Sequence, residues 1–332
     1  MLSSPLDKAA FAAESVKPSR AIATLVEDVR AGLLHAPREL PPKYFYDAHG
    51  SSLFEAICLT PEYYPTRAER ALIAQHAHEL IGIAQPLSII EFGSGVASKL
   101  GPLFKACEAH ALTASYYPLD VCESVLLATG ELLREQFPWL VVRPLLGDFT
   151  AGLANLPRIH GRKLLMFLGG TLGNFDQPAA IALLAEMRTL MRPDDFLLLG
   201  ADRIKDPLTL HAAYNDAAGL TAQFNLNLLS VLNAGVGADF VADNFAHRAF
   251  YNAEAQRIEM HLESLVAQRV ALPALGESIN FAAGETIRTE ISRKFSPASL
   301  SALLAAAGLR LDRHFSGVDE AFSLVLARRD DA

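Results

Sequence analysis

Five short apolar runs in the middle of the chain are each followed by a glycine or an aspartate, and amphipathic segments lie between them. Runs without polar alternation are typical of strands buried on both faces, and the intervening helices supply the crossovers of a parallel sheet. The runs are Leu87–Phe92, Ala114–Leu119, Trp139–Leu146, Lys163–Leu168 and Phe196–Leu199. Pro144 lies inside the third run and predicts an irregular strand there. The sequence therefore predicts an α/β protein with a parallel sheet covered by helices.

Helix signals precede and separate these runs. The stretch from Thr66 to Glu69 reads Thr-Arg-Ala-Glu and matches a capping box, so Thr66 is expected to cap a helix that runs to about Ile81. Asp176 is a capping residue for the helix that follows it. Further helices are expected at about Ser19–Leu34, Ser52–Cys58, Ser98–Ala109 and Cys122–Phe137.

The alternation is interrupted between residues 204 and 294. This segment carries helical signals around Leu208–Asn233 and alternating segments at Arg248–Tyr251, Arg257–Val266 and Glu285–Phe295. Because the first pattern resumes afterwards, we expect two domains. The first comprises residues 67–203 and 295–332, and the second comprises residues 1–66 and 204–294.

The end of the chain predicts one helix and a hairpin. Ser296-Pro297 is a capping residue followed by proline at the first helical position, and Gly308 is a stop signal. Two apolar segments follow, at about Leu309–Phe315 and Ala321–Arg328. The five residues between them are few enough for an antiparallel hairpin.

Charge and composition exclude several classes of protein. The formal net charge of −8 disfavours a nucleic-acid partner, which basic surfaces bind. No apolar run reaches the roughly 18 residues of a membrane helix, and no basic segment followed by an apolar stretch opens the chain. The odd number of cysteines fits a reducing compartment. We expect a cytoplasmic protein, acting as a monomer on a small molecule.

A glycine turn follows the first predicted strand at Gly93-Ser94-Gly95. Glycine permits a sharp turn and close approach of a ligand at the carboxyl end of a parallel strand. Asp120 ends the next strand and can accept both ribose hydroxyls of an adenosine. Asp148 ends the third strand and can accept from an adenine amino group, while Phe149 can pack on the purine. These residues predict an adenosine-containing cofactor.

The details of the turn distinguish between cofactors. A dinucleotide site is expected to carry a third glycine, but Ser98 stands at that position. Glu91, two residues before the turn, and the closing hairpin are both typical of S-adenosylmethionine sites. S-adenosylmethionine is therefore the expected cofactor, and a nicotinamide-dependent oxidoreductase is the alternative from another class.

Several segments together resemble the histidine Nα-methyltransferases of ergothioneine biosynthesis, over nearly the whole chain from about residue 20. They are Pro42-Lys43-Tyr44-Phe45-Tyr46-Asp47, Gly50-Ser51-Ser52-Leu53-Phe54, Pro61-Glu62-Tyr63-Tyr64-Pro65-Thr66-Arg67-Ala68-Glu69, Glu91-Phe92-Gly93-Ser94-Gly95, Gly169-Gly170-Thr171-Leu172-Gly173-Asn174-Phe175 and Arg288-Thr289-Glu290-Ile291-Ser292-Arg293-Lys294-Phe295. The resemblance implies a Rossmann-like class I methyltransferase sheet with a C-terminal antiparallel hairpin. It also implies a second, substrate-binding domain built from the N-terminus and an insertion.

The resemblance also implies roles for single residues. Those that stand where the family holds S-adenosylmethionine are Gly93, Lys99, Asp120, Asp148 and Phe149, and Gly95 belongs to the same turn. Lys99 suits the methionyl carboxylate of the cofactor. Asn174 and Tyr214 stand where the family grips the substrate α-carboxylate. Tyr46 and Tyr63 match tyrosines near the substrate's amino group and ring, and Gly169 offers backbone at the reacting amine.

Three residues point to the substrate side chain. Glu290 and Ser292 are two apart on a predicted strand and so share a face, where a carboxylate and a hydroxyl suit an imidazole ring. Met260 stands where the family packs a thioether on that ring. Without the resemblance, Glu290 would be read as a surface residue and Met260 as core. An indole should need a smaller residue than Met260 and no buried carboxylate.

The sequence therefore predicts three successive methylations of the α-amine of L-histidine, without a metal. No spacing of the histidines and cysteines is typical of a metal site. The same chemistry on another amino acid, such as tryptophan, is the nearest alternative. A cofactor-binding protein without catalysis is a third.

Overall fold

Residues 11–95 and 99–331 are described by the structure, a computed structural model. Ser98, which stands at the third position of the glycine motif and at the start of one predicted helix, lies outside this range. The strands are β1 (Glu14–Ser15), β2 (Arg38–Glu39), β3 (Ser88–Phe92), β4 (Ser115–Asp120), β5 (Val141–Val142), β6 (Leu145–Leu146), β7 (Lys163–Phe167), β8 (Phe196–Asp202), β9 (Phe245–Asn252), β10 (Arg257–Ser264), β11 (Gln268–Leu272), β12 (Glu277–Phe281), β13 (Thr286–Arg293), β14 (Leu309–Ser316) and β15 (Phe322–Arg329). The α-helices are α1 (Leu25–Leu33), α2 (Ala48–Ile57), α3 (Pro65–Ala84), α4 (Gly101–Ala109), α5 (Glu123–Gln136), α6 (Gln177–Thr189), α7 (Pro207–Ala213), α8 (Leu220–Val236) and α9 (Pro297–Ala306).

The large sheet has the order β1-β6-β4-β3-β7-β8-β15-β14, and β5 also pairs with β4. Its pairings are parallel except that β15 runs antiparallel to both β8 and β14. The parallel sheet and the closing hairpin are therefore confirmed, and the strand order is that of a class I methyltransferase. The third predicted strand is split into β5 and β6 at Pro144, as expected of a residue that cannot donate to the ladder.

Two apolar cores cover the two faces of this sheet. Leu80, Phe104 and Tyr116 belong to the core on one face, together with residues of α3 and α4. Phe167, Leu184 and Leu304 belong to the core on the other, with residues of α6 and α9. Strands β3, β7 and β8 are buried along their whole length, which explains their continuous apolar sequences.

A second sheet of order β2-β13-β10-β9 packs against α8 and has an apolar core of its own. The buried residues of that core come from the chain before residue 58 and from residues 210–287. The hairpin of β11 and β12 was not predicted. Glu14–Ser15, expected in the second domain, instead form the edge strand β1 of the large sheet.

Two helix starts differ from their predictions. Helix α1 begins at Leu25 because Thr24 and Glu27 form a capping box, and the predicted start at Ser19 is wrong. The amide of Ser19 donates instead to the carbonyl of Ala151. Helix α3 begins at Pro65 without a side-chain cap, so the predicted cap at Thr66 is wrong as well. None of the described helices is long and apolar enough to cross a membrane.

A buried ion pair fixes the start of β7. Asp195 is fully buried and accepts from the Lys163 amide at 2.6 Å and from the Arg192 amide at 2.7 Å. The Lys163 ammonium lies 2.7 Å from the same carboxylate. Removing one partner of such a pair leaves a buried charge without compensation, which is costly.

We therefore expect Asp195→Ala to lower the free energy of unfolding by about 3–5 kcal/mol, because Lys163 stays buried without its partner. Urea denaturation measures this change. Asp194→Ala is the matched control, since Asp194 is exposed and lies 3.4 Å from Arg162. It should cost at most about 1 kcal/mol. Equal losses in the two variants would contradict the role of the buried pair.

Candidate active site

The glycine turn after β3 is tied to the end of β4. Gly93 and Gly95 have φ angles of 68° and 47°, which favour glycine. The Gly95 amide donates to Asp120 Oδ2 at 2.9 Å, and the Cys122 amide donates to Oδ1 at 3.1 Å. Since a carboxylate has about four acceptor positions, Asp120 keeps acceptor capacity on both oxygens. The structure thus brings Gly93, Gly95 and Asp120 together, as the sequence predicts.

Phe149 lies beside the same turn. A Cβ atom added to Gly93 would meet the Phe149 ring at 3.3 Å, and Phe149 packs edge-on against Phe167 at 5.5 Å between centroids. Asp148 Oδ1 accepts from the amide of Thr150 at 2.7 Å and from its hydroxyl at 2.6 Å. Asp148 therefore caps the short turn that carries Phe149.

Two carboxylates surround Lys99 behind this turn. Lys99 Nζ lies 3.0 Å from Glu69 Oε2 and 4.0 Å from Glu91 Oε1. Burial by itself would lower the pKa of Lys99, but the two carboxylates outweigh it and the pKa is raised. Burial raises the pKa of Glu91 to about 7, although Lys99 and the Tyr116 hydroxyl act in the opposite direction. The cluster has one cation for two acidic groups.

Glu69 is a residue of the site that the sequence analysis missed. It is 2% exposed, and Oε1 accepts from the Gly169 amide at 2.6 Å. A Cβ atom on Gly200 would lie 2.0 Å from that oxygen, so the carboxylate occupies space that only glycine leaves free. A signal was present in the sequence, because Glu69 lies on the buried face of α3, three and four residues before Leu72 and Ile73.

Five aromatic rings from separate parts of the chain pack against one another. Tyr46 packs edge-on against Phe54 and Phe224, with 5.8 Å between centroids in each case. Tyr63 packs edge-on against Phe54 at 6.0 Å and against Tyr214 at 6.2 Å. Tyr46 and Tyr63 are thus brought together, and the sequence analysis gave no role to Phe54 or Phe224.

The pKa of Tyr46 is influenced by acidic residues of both sheets. Burial raises its pKa, and Glu290 and Asp120 are among the negative charges that add to this. The residue as a whole is 39% accessible. The charges of Asp120, at the end of β4, and of Glu290, within β13, thus both act on the Tyr46 phenol.

A register shift between β10 and β13 changes which side chains of β13 share a face with Met260. Met260 pairs with Glu290 and His261 pairs with Arg288, so Thr289 is an extra residue on β13. Residues that pair directly across two strands share a face. Glu290 therefore lies on the face of Met260, which is 1% exposed, and Ser292 lies two positions along on the same face. Bulges of this kind re-aim side chains.

Ser292 and Tyr214 are in direct contact. The Tyr214 hydroxyl donates to Ser292 Oγ at 2.8 Å. Lys294, to which the sequence analysis gave no role, donates to Ser292 Oγ at 2.9 Å and to Tyr214 Oη at 3.1 Å. Its ammonium also lies 2.8 Å from Asp202 Oδ2.

Glu290 stands near this group but outside its hydrogen bonds. Burial raises the pKa of Glu290 to about 7, and Lys294 acts against this shift. Glu290 and Asn174 both border a partly open cavity of about 370 Å³. Among the residues that the structure describes, no group of three or more His, Cys, Asp or Glu could hold a metal ion.

Comparison with known proteins supports the resemblance found in the motifs. Residues 25–329 match the model of the family described as "Histidine-specific methyltransferase, SAM-dependent". The histidine N-alpha-methyltransferase of Mycolicibacterium smegmatis is 42% identical over 305 residues, which cover 92% of this chain and 95% of that protein. Its counterpart from Mycobacterium tuberculosis is 41% identical over the same shares.

One solved structure with a similar arrangement is an S-adenosylmethionine-dependent methyltransferase from Clostridium acetobutylicum. It aligns with a TM-score of 0.46 and 9% identity, over 85% of this chain and 99% of that one. The match of the family model to more than nine tenths of the chain settles the relationship. The chain belongs to the family of histidine-specific, S-adenosylmethionine-dependent methyltransferases.

Proposed function

We propose that this enzyme transfers three methyl groups in succession from S-adenosylmethionine to the α-amino nitrogen of L-histidine and releases hercynine. The observation that carries the proposal is Glu290, a half-buried carboxylate that pairs across the strands with Met260 and lies near Lys294, which contacts both Ser292 and Tyr214. A carboxylate in that position suits the N–H group of an imidazole.

The residues at the glycine turn fit the cofactor. Its sulfonium supplies the electrophilic methyl group. Gly93 leaves a space beside Phe149 that a Cβ atom would fill, and Asp120 has acceptor positions for two ribose hydroxyls. Glu91 Oε1 is buried and has no hydrogen-bond partner among the described residues, which suits a cationic ligand. We assign the cofactor to Gly93, Gly95, Lys99, Asp120, Asp148 and Phe149.

We assign the substrate to the other side of the cleft. Glu290 accepts from the imidazole, Met260 packs on the ring, and Ser292 and Tyr214 offer hydroxyls beside it. Asn174 and Tyr214 hold the α-carboxylate. Tyr63 lines the space next to the amine. The contact between Ser292 and Tyr214 supports this arrangement, because it brings the ring-binding and carboxylate-binding groups into one cluster.

The mechanism needs an unprotonated amine and a dry, aligned approach. Burial raises the pKa of both Tyr46 and Tyr63, so both stay neutral phenols. An α-amino group has a pKa near 8, so a sizeable neutral fraction exists without a strong base. The Tyr46 oxygen accepts from the amine and orients its lone pair, and the Gly169 carbonyl fixes the amine from the other side. Alignment of this kind supplies most of the rate.

The aromatic rings suit the growing product. Each methylation turns the amine into a bulkier ammonium, which gives up a proton to water before the next round. The third product has no N–H group left and is a permanent cation, which hydrogen-bond acceptors bind less well. The faces of Tyr46, Phe54 and Tyr63 attract cations without requiring an N–H group. We therefore propose that Phe54 shares in holding the methylated amine. The large sheet, with residues 67–203 and 295–332, holds the cofactor, and residues 204–294 with most of 1–66 hold the substrate.

We test the proposal by incubating the enzyme with L-histidine and S-adenosylmethionine and following the products by mass spectrometry. Species with one, two and three added methyl groups should appear in order, on histidine in preference to tryptophan. Nα-acetylhistidine is the control and should stay unmodified. No methylated histidine, or faster turnover of tryptophan, would reject the proposal. A cytoplasmic, monomeric enzyme without a nucleic-acid partner stays a prediction.

Glu290→Ala should raise KM for histidine about tenfold or more, because a hydrogen bond to a charged group contributes about 1.5–3 kcal/mol. The Kd for S-adenosylhomocysteine should stay unchanged. Steady-state kinetics and calorimetry measure the two quantities. Glu285→Ala is the matched control, since Glu285 directly precedes β13 and pairs with Arg38 at 2.9 Å. If KM for histidine were unaffected in Glu290→Ala, the assignment of that carboxylate would be wrong.

Glu290→Gln should make the fold more stable at pH 8 but not at pH 4. The folded-state pKa of about 7 lies above the ordinary glutamate value of 4.5, so the folded state binds the proton more tightly than the unfolded state does. In the native protein this contribution to stability is full below pH 4.5 and is lost as the pH rises towards 7. The variant has no such loss. Urea unfolding of both proteins at several pH values tests this, and a constant difference across the range would refute it.

A further inference from the structure

A buried lysine lies beneath the two hydroxyls of the substrate cluster. The Lys294 side chain is 1% exposed and contacts Asp202 Oδ2, Ser292 Oγ and Tyr214 Oη at 2.8, 2.9 and 3.1 Å. An ammonium has three N–H donors and no acceptor. These three contacts therefore use all of its hydrogens, and its orientation is fixed.

The hydrogen count of the cluster determines what it offers to a ligand. Ser292 and Tyr214 have two hydroxyl hydrogens between them, and their oxygens lie 2.8 Å apart. One hydrogen lies between the two oxygens. The other cannot point at Lys294, which presents only donors. It therefore points away from the lysine, and the pair offers an O–H group outward.

Lys294 keeps its charge in this position. Burial alone would lower its pKa, but Asp202 and the Tyr214 oxygen outweigh burial and raise it. In the same way, burial would raise the pKa of Asp202, but Lys294 and Lys205 outweigh it and the pKa is lowered. A fixed ammonium behind two hydroxyls favours a ligand atom with a lone pair or a negative charge.

We propose that Lys294 is a positioning residue: it orients the hydroxyls of Tyr214 and Ser292 so that the pair can only donate a hydrogen bond to the substrate. This subsite binds an acceptor of the substrate, whereas Glu290 binds a donor. This inference rests on the proposed function. Histidine has two such acceptors, the α-carboxylate and the lone pair of the neutral imidazole. Glu290 then takes a ring N–H, so the two subsites together require a substrate with one donor and one acceptor.

Lys205 provides a matched control. Its ammonium contacts the same carboxylate, Asp202 Oδ1, as well as the Tyr64 hydroxyl and the Arg203 carbonyl. Removal of either lysine takes one cation from Asp202, but only Lys294 reaches the two hydroxyls. A purely structural role of the ion pair would make the two substitutions alike.

The experiment compares Lys294→Gln with Lys205→Gln in the full chain, with S-adenosylhomocysteine bound. Calorimetry should give an increase of about tenfold in the Kd for histidine in Lys294→Gln and less than about twofold in Lys205→Gln, in line with the value of hydrogen bonds from charged groups. The Kd for S-adenosylhomocysteine should stay the same in both. Equal effects of the two variants on histidine binding would overturn the proposal.

A double-mutant cycle shows whether Lys294 acts through the hydroxyls. The effect of Lys294→Gln should shrink when Ser292→Ala and Tyr214→Phe are already present, because residues in one network are not additive. Full additivity would overturn the proposal. Histamine, which lacks the carboxylate, separates the two acceptors. The loss persists with histamine if the imidazole lone pair is the acceptor, and it disappears if the carboxylate is.

Two measurements protect the test against misfolding and against failure of the proposed function. Asp202→Asn with Lys294→Gln removes both charges together, so no charge of this pair is left uncompensated, and the Kd for histidine should still rise about tenfold. A Kd like that of the native enzyme would overturn the proposal. Methylation of histidine by the native enzyme is measured separately. If the native enzyme does not methylate histidine, the proposed function is refuted. If it does, and Lys294→Gln and Lys205→Gln have equal effects on histidine binding, only the role of Lys294 is refuted.

Discussion

The ion pair between Asp202 and Lys294 stands where the chain passes between its two sheets. The chain leaves the large sheet at the end of β8, beside Asp202, and returns to it after β13, beside Lys294. The Phe295 amide donates to the Asp202 carbonyl at 2.9 Å, and the Ile204 amide donates to the Phe295 carbonyl at 3.1 Å. The charges are buried, so neither can be removed alone at low cost. The pair and these two backbone hydrogen bonds hold the end of β8 against the end of β13.

Two acidic groups of the candidate site lie in surroundings that disfavour their charged form. Burial raises the pKa of Glu91 and of Glu290 to about 7. Groups with strongly shifted pKa values are concentrated at functional sites, because catalysis and binding need charged groups in surroundings where they lower the stability of the fold. Here we propose that the acidic groups meet a cofactor with a cationic sulfonium and a substrate that becomes a permanent cation. The phenols of Tyr46 and Tyr63, whose pKa values are raised by burial, lie near enough to Glu290 for its charge to raise them further.

Much of the large sheet could be predicted from the sequence. Buried parallel strands carry continuous apolar runs, and Pro144 marked the split between β5 and β6. The hairpin of β11 and β12 was missed because its strands are short and both begin with two polar residues. The predicted helix cap at Thr66 was wrong. Glu69 matches a local capping pattern, but its carboxylate accepts a hydrogen bond from the amide of Gly169, one hundred residues away. Asp120 and Gly95 were expected to meet and do so, since the ends of neighbouring parallel strands lie at one edge. Lys294 was missed because a lysine after a strand is ordinarily solvated, and nothing nearby in sequence marks Asp202 as its partner.

The close approach of Glu69 to Gly200 ties two distant parts of the sequence to each other. Even a methyl group at position 200 would force the carboxylate away from the Gly169 amide, since it would stand 2.0 Å from the oxygen that accepts there. A shorter acid at position 69 would free that space but would no longer span the gap to the amide. A change at either position therefore disturbs the hydrogen bond between Glu69 and the Gly169 amide, so the end of β8 and the turn after β7 are coupled through one carboxylate.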